Sequence, residues 1–180
     1  MSSFISENEL IKIGFKSIGN GVHISKYATF YNPSSISIGS NVRIDDFCIL
    51  SGSITIGNNV HISAGTFLFA GDSLIKIGNH TSISSRCGIY AISDDFSGYY
   101  LVGSIEDSDS RHVIKEEVSI EDYVVVGTGS TILPGSNLKT GVAVGAMSLV
   151  KGTLDEWGIY CGIPCVRVKE RVKIESRFIK

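Results

Sequence analysis

Aliphatic residues recur at every sixth position along most of this chain. One unbroken frame runs Ile38, Ile44, Leu50, Ile56, Ile62, Leu68. An earlier frame holds Ile18, Ile24, Phe30 and Ile36, and a third holds Ile77, Ile83 and Ile89. A fourth runs Ile120, Val126, Ile132, Leu138, Val144, Val150. A period of six fits neither an amphipathic helix nor an ordinary alternating strand. It fits a block made of one short strand and one turn. Three such blocks close a triangular coil of about eighteen residues, and successive coils stack at the strand spacing of about 4.8 Å. One coil cannot bury its aliphatic residues alone, whereas a stack forms a continuous core. The pattern therefore predicts an all-β prism: coils over about 18–90 and 118–152, interrupted by a loop over about 91–118. The expected organisation is one domain over 1–180.

The other positions of the block agree. Counting the aliphatic as first, the second is often glycine (Gly19, Gly39, Gly57, Gly78, Gly127, Gly145) and the fourth often Asn or Gly (Gly21, Asn41, Asn59). Both are read as residues that tolerate the positive φ of a tight corner. The fifth is small or β-branched and is expected inside, and the sixth points out. Cys48 and Cys87 fall at the fifth position and read as core fillers. His80 falls at the fourth and reads as a corner residue. Ser6 and Glu9 match a capping box, which predicts a short helix over the open end of the prism. Residues after Val150 read as an extended cap followed by a short basic tail.

Composition narrows the class. There are 20 glycines, 3 prolines and a formal net charge of −2 in 180 residues. Both signs are scattered, so there is no electrostatic footprint for nucleic acid. No apolar run is long enough to span a bilayer, and the N-terminus lacks the order of a secretion signal. The four cysteines read as reduced thiols of a cytoplasmic protein. Cys161 and Cys165 have no second pair at ligand spacing, so no metal is expected.

Several segments carry a resemblance. "VVVGTGSTILPGSNL", "VAVGAMSLVKG" and "WGIYCGIPCVRVKER" are similar to stretches of the hexapeptide-repeat acyltransferases, whose fold is a left-handed parallel β-helix. The resemblance runs from about Ile18 to Arg171. "NVRIDDFCILS", "NNVHIS" and "IYAISDDFSGYY" most resemble the bacterial N-acetyltransferases that act on dTDP-4-amino-4,6-dideoxyglucose for surface polysaccharide synthesis. Sugar O-acetyltransferases of the galactoside, maltose or capsule type are the alternative. The resemblance implies acetyl-CoA as co-substrate and a homotrimer with sites between subunits. It implies that Gly127, Thr128, Ala146 and Lys151 line the pantetheine arm. Lys169 and Arg171 would meet the coenzyme's phosphates, against the plain alternative of a solvated basic tail.

Acetyl transfer to an amine requires the thioester held, the amine placed beside it and a proton removed. His61, at an outward position of a central coil, is one candidate base. His112, at the end of the loop, is the other. Asp94 or Asp95 would orient the amine or polarise the histidine. Arg86, Asp95, Phe96 and Tyr99 are candidate substrate contacts, because aromatic rings beside carboxylates suit a nucleotide-linked amino-sugar. A metal-dependent carbonic anhydrase of the same fold would need clustered histidines. A surface-binding solenoid would need ladders of one outward residue type, but His23, Arg43 and His61 vary.

Overall fold

The computed structural model describes residues 3–104 and 106–175. The end of the basic tail, residues 176–180, lies outside them. The prism is present, with three parallel faces. The first face aligns Ser17, Ser37, Thr55, Lys76, Ser119, Asn137 and Thr153. The second aligns His23, Arg43, His61, Ser82, Val125, Ala143 and Ile159. The third aligns Thr29, Ile49, Phe67, Gly88, Thr131 and Leu149. Each of these is a sixth-position residue pointing outward. The next residue in each strand is the aliphatic of the repeat. Ile44, Leu50, Ile62, Leu68, Ile83, Ile89, Ile132, Leu138 and Val150 are completely buried. Each contributes about 2 kcal/mol by leaving water, and a single isolated coil could not bury them.

The fifth positions fill the corners from inside. Where the residue is polar it is a hydroxyl aimed at a backbone carbonyl: Thr66 donates to Ser84 O at 3.0 Å, Thr81 to Glu121 O at 3.0 Å, and Ser130 to Gly145 O at 3.0 Å. Cys48 and Cys87 are buried there too. Burial pushes the Cys48 thiol up to about 11, which suits packing and not chemistry.

The fourth positions hold the left-handed corners, with Asn41, Asn59, His80, Arg86, Tyr123, Met147 and Trp157 all at φ between 53° and 58° or, for Tyr123, 61°. The second-position glycines correct the sequence reading. Their φ is not positive. A Cβ on Gly39 would instead lie 2.5 Å from Gly57 O, and one on Gly127 would lie 2.5 Å from Ala146 N. These glycines are required by close stacking of backbones. Beside them runs a side-chain ladder: Asn58 Oδ1 accepts from Ser40 N, Asn79 Oδ1 from Asn58 N, and Asp122 Oδ1 from Asn79 N, at 2.8, 2.8 and 2.6 Å.

Departures from the six-residue spacing all fall on one edge, between the third face and the first face of the next coil. Phe30 to Ile38, Leu68 to Ile77 and Ile89 to Ile120 are long, while Val150 to Leu154 is short. The prism thus concentrates its insertions on a single edge. The longest of them is not structureless. Ile92–Asp94 pairs antiparallel with Val113–Lys115, which makes the insertion a ribbon-like arm. Its root is fixed by Ala91 N to Phe69 O at 3.0 Å and by Lys115 paired with Asp72.

Both ends of the prism are closed. The helix Glu7–Ile13 buries Leu10 over the first coil. The Glu9 carboxylate accepts from the Ser6 amide at 2.8 Å and its hydroxyl at 2.6 Å, and Gly14 ends the helix at φ 79°. At the other end Tyr160 points inward, and its hydroxyl accepts from Asp155 N at 2.9 Å. The tail then differs from the expectation. Val166–Glu170 turns back antiparallel on Gly158–Cys161. Arg171 follows, and its Nη1 donates to Tyr123 O, Gly141 O and Val142 O at 2.8, 3.0 and 3.3 Å. That nitrogen anchors the returning strand to the corner carbonyls. Arg171 Nη1 is therefore taken up within the chain, whereas Lys169 is exposed.

Candidate active site

The candidate residues fall into two groups on different parts of the prism. The first lies on the second face. Arg43 and His61 are adjacent in register, and Asp45, two residues after Arg43, reaches both. Arg43 Nε donates to Asp45 Oδ1 at 2.7 Å, and His61 Nε2 lies 2.8 Å from Asp45 Oδ2. Burial by itself would raise the Asp45 carboxyl, but hydrogen bonds from Arg43 and His61 outweigh it and hold it below the usual carboxylate range. An ionised carboxylate only accepts, so Nε2 carries the proton and a neutral imidazole keeps its lone pair on Nδ1. The N-terminal segment covers this group: Phe4 lies 5.5 Å from the Arg43 guanidinium and edge-on to His23.

Past His61 the second face becomes smooth. Its second-position residues in the following coils are Ser63, Ser84, Gly127 and Gly145, ending at exposed Cys161. Small side chains leave this strip open to a long, thin ligand. Gly127 lies on the strip, and Thr128 and Ala146 lie beside it at the next corner. The Thr128 hydroxyl donates to Ser85 O at 2.7 Å, which pins that corner. Arg86 also stands on this edge, its Cγ packed over Gly65. Lys151 does not join the strip; it leaves from the third face, after Leu149–Val150. Lys169 lies opposite Ile159, at the far end of the second face.

The second group belongs to the arm. Arg111 Nη2 donates to Asp94 Oδ1 at 2.9 Å, and Gly103 N donates to Oδ2 at 3.3 Å. The Arg111 bond holds Asp94 below the usual carboxylate range. Among the described residues, the side-chain partner of Asp94 is an arginine and not a histidine. Asp95 accepts from Ser97 N at 2.6 Å, a bond that lowers its carboxyl as well. His112 packs its ring 5.2 Å from Tyr100. Phe96 and Tyr99 are 87% and 89% exposed, so their rings have almost nothing to pack on in their own chain. Beneath the arm a cavity of about 280 Å³ is lined by Phe69, Tyr90, Asp94 and Arg111. Phe69 and Tyr90 stack at 5.7 Å.

Among the described residues hydrogen bonding does not bring the two groups together: His61 is bonded to Asp45 and not to any described arm residue. Sequence reasoning missed Asp45, Arg111 and the Phe69–Tyr90 wall. Coil arithmetic would have found Asp45: residues one coil apart align, so Arg43 sits over His61, and Asp45 flanks the same inward aliphatic. Arg111 had no such signal, because the arm lies outside the repeat.

Among the described residues no cluster of three or more His, Cys, Asp or Glu is placed to hold a metal ion. No helix among them is long and apolar enough to cross a membrane.

Comparison with known proteins places this geometry. Residues 35–70 match the family model of the bacterial transferase hexapeptide, six repeats. The chain is 37% identical to a dTDP-4-amino-4,6-dideoxy-D-glucose acyltransferase of Escherichia coli, over 95% of this chain and 90% of that protein. It superimposes with a TM-score of 0.94 and 48% identity on a variant of AntD, an N-acyltransferase from Bacillus cereus, in complex with dTDP-4-amino-4,6-dideoxyglucose and coenzyme A. That match covers 96% of this chain and 92% of the other. A maltose O-acetyltransferase from Clostridium difficile shares the fold at 19% identity and a TM-score of 0.57, covering 92% of this chain and 75% of that one.

Proposed function

Because the chain belongs to the hexapeptide-repeat acyltransferases, we propose that it transfers an acetyl group from acetyl-CoA to the amine of dTDP-4-amino-4,6-dideoxyglucose. The observation that carries this reading is the near full-length likeness to an N-acyltransferase bound to both coenzyme A and that amino-sugar nucleotide. The smooth strip of the second face suits the pantetheine arm, with Gly127, Thr128 and Ala146 along it and Lys169 near the phosphates. The acyl end then lies toward His61. The neutral amine attacks the thioester carbonyl carbon, and the carbon–sulfur bond breaks. His61 Nδ1 takes the surplus proton from nitrogen and passes it to the departing thiolate. Asp45 keeps the imidazole in the tautomer this requires.

The separation of the two groups supports a homotrimer. A closed ring of three prisms sets the arm of one protomer against the second face of the next. Asp94, Asp95, Phe96 and Tyr99 then meet the sugar nucleotide opposite His61, and the exposed rings gain a ligand to stack on. His112 stays on the arm as a packing partner of Tyr100. The reaction belongs in the cytoplasm, where acetyl-CoA and nucleotide sugars are made, ahead of surface polysaccharide assembly.

The test is thiol release from acetyl-CoA with paired acceptors. The dTDP-linked 4-amino sugar should release thiol, and the matching 4-hydroxyl sugar should do so at least about 10²-fold more slowly, since a hydroxyl is a far weaker nucleophile than a neutral amine. Faster turnover of the hydroxyl sugar would identify an O-acetyltransferase instead.

A further inference from the structure

The strand Val166–Glu170, which turns back on Gly158–Cys161, has all five of its side chains exposed. Arg167 and Glu170 pair with each other within it, at 2.8 Å. A two-stranded ribbon that buries no apolar face is marginal by itself, so this one depends on how its ends are held. Its start is tied where Cys165 N donates to Leu149 O at 2.9 Å. Its end is tied by Arg171. The Arg171 amide donates to Trp157 O at 2.7 Å, and Nη1 donates to Tyr123 O and Gly141 O at 2.8 and 3.0 Å. Tyr123, Gly141 and Trp157 hold the same left-handed corner position in three successive coils. Within that corner Gly141 N donates to Asp122 O, and Trp157 N to Thr140 O. Arg171 takes the carbonyls that come next in the chain. One residue therefore clips the strand to three coils at once.

Lys169 lies two residues before this clip and opposite Ile159. Residues paired across two strands project to the same face, so Lys169 shares the outward side of Ile159. Resting on the donor assignment above, we propose that Arg171 is a positioning residue for acetyl-CoA: it fixes the strand that presents Lys169 to the coenzyme's phosphates, and it acts through Lys169. A lysine is a point charge on a flexible stem, so what it offers a phosphate depends on where its backbone is held. An unclipped strand would have to be ordered as the coenzyme binds, and ordering backbone opposes binding. With the clip closed, that ordering precedes the coenzyme. Arginine suits the task, because its planar guanidinium meets several fixed acceptors at once and keeps its charge. Nη1 is turned toward carbonyls and away from any anion on the second face.

Steady-state kinetics of the full chain with two donors tests this, the second being S-acetylpantetheine, which has no phosphate. Arg171→Ala should raise KM for acetyl-CoA about tenfold, the scale of one charge-assisted hydrogen bond, with kcat and the KM of the amino-sugar within twofold. With S-acetylpantetheine the same variant should match the parent within twofold. Lys169→Met should raise KM for acetyl-CoA to a similar extent. The double variant should lose no more than the worse single one, because the second change removes a contact already lost. Hydrogen exchange should show the amides of residues 167–171 less protected in Arg171→Ala, and those of residues 125–126 and 143–144 as in the parent. Additive losses in the double variant would mean that each residue meets the coenzyme separately, and would overturn the proposal. Unchanged protection in Arg171→Ala, an unchanged KM for acetyl-CoA in either single variant, or an equal loss with both donors would overturn it as well. A parent protein that took no acetyl group from acetyl-CoA would overturn the donor assignment first, and this inference with it.

Discussion

His61→Ala should lower kcat on the amino-sugar by about 10²-fold, with KM nearly unchanged. His61 is expected to move one proton and to contribute little to ground-state binding, so the loss belongs in kcat. The size follows from the acceptor. A sugar amine is partly neutral near pH 7 and needs less help than a hydroxyl, which keeps the effect at the low end of general-base contributions. Asp45→Asn should show a smaller loss, about tenfold, because an amide still accepts from Nε2–H but no longer stabilises the imidazolium as it forms. Steady-state kinetics with both variants decides the matter. A change within about threefold for His61→Ala would remove it as the base and leave the substrate amine to deprotonate to solvent.

The largest effect on stability is expected at Gly39. Valine there places a Cβ 2.5 Å from Gly57 O and 2.7 Å from Asn58 Oδ1. Neither neighbour is a flexible chain end, since Asn58 Oδ1 already accepts from Ser40 N. The coils must part locally, which breaks the ladder and opens the core between Ile38 and Ile56. The cost should be about 3 kcal/mol or more, the upper range for overpacking. Urea unfolding of Gly39→Val should show a lowered midpoint with little change in slope. Gly14→Ala is the control. Nothing lies within 4 Å of its Cβ position, so only the positive φ opposes it, for about 1 kcal/mol. A Gly39 variant as stable as that control would contradict the stacking account.

The prism was legible in the sequence because its cause is local and repeated. Ile44, Ile62 and Ile83 each report the same inward position, and each copy confirms the others. The corners were legible for the same reason: Asn59 and His80 share one offset and one left-handed conformation. The role of the second-position glycines was not legible, since freedom at φ and lack of space both select glycine, and only coordinates separate them. The anchoring of Arg171 was not legible for a related reason. A basic residue near a chain end reads as solvated or ligand-facing, and the three carbonyls that claim it come from Tyr123, Gly141 and Val142, far back in the chain. His61 was picked out by its outward position in the repeat, whereas its partner Asp45 was found only when two coils were laid over one another. The arm obeys no repeat at all, so Asp94 could be named but its partner Arg111 could not.

The central claim is that each site is shared, with the second face from one protomer and the arm from its neighbour. Co-expressing His61→Ala and Asp94→Asn chains in equal amounts tests it most directly. Each variant alone should be nearly inactive. In a cyclic trimer every mixed ring holds one intact pairing of a native face with a native arm, so the mixture should recover about a quarter of the unmutated activity. Activity that stays at the level of the two parents would contradict the account, because it would mean that His61 and Asp94 serve the same site from within a single chain.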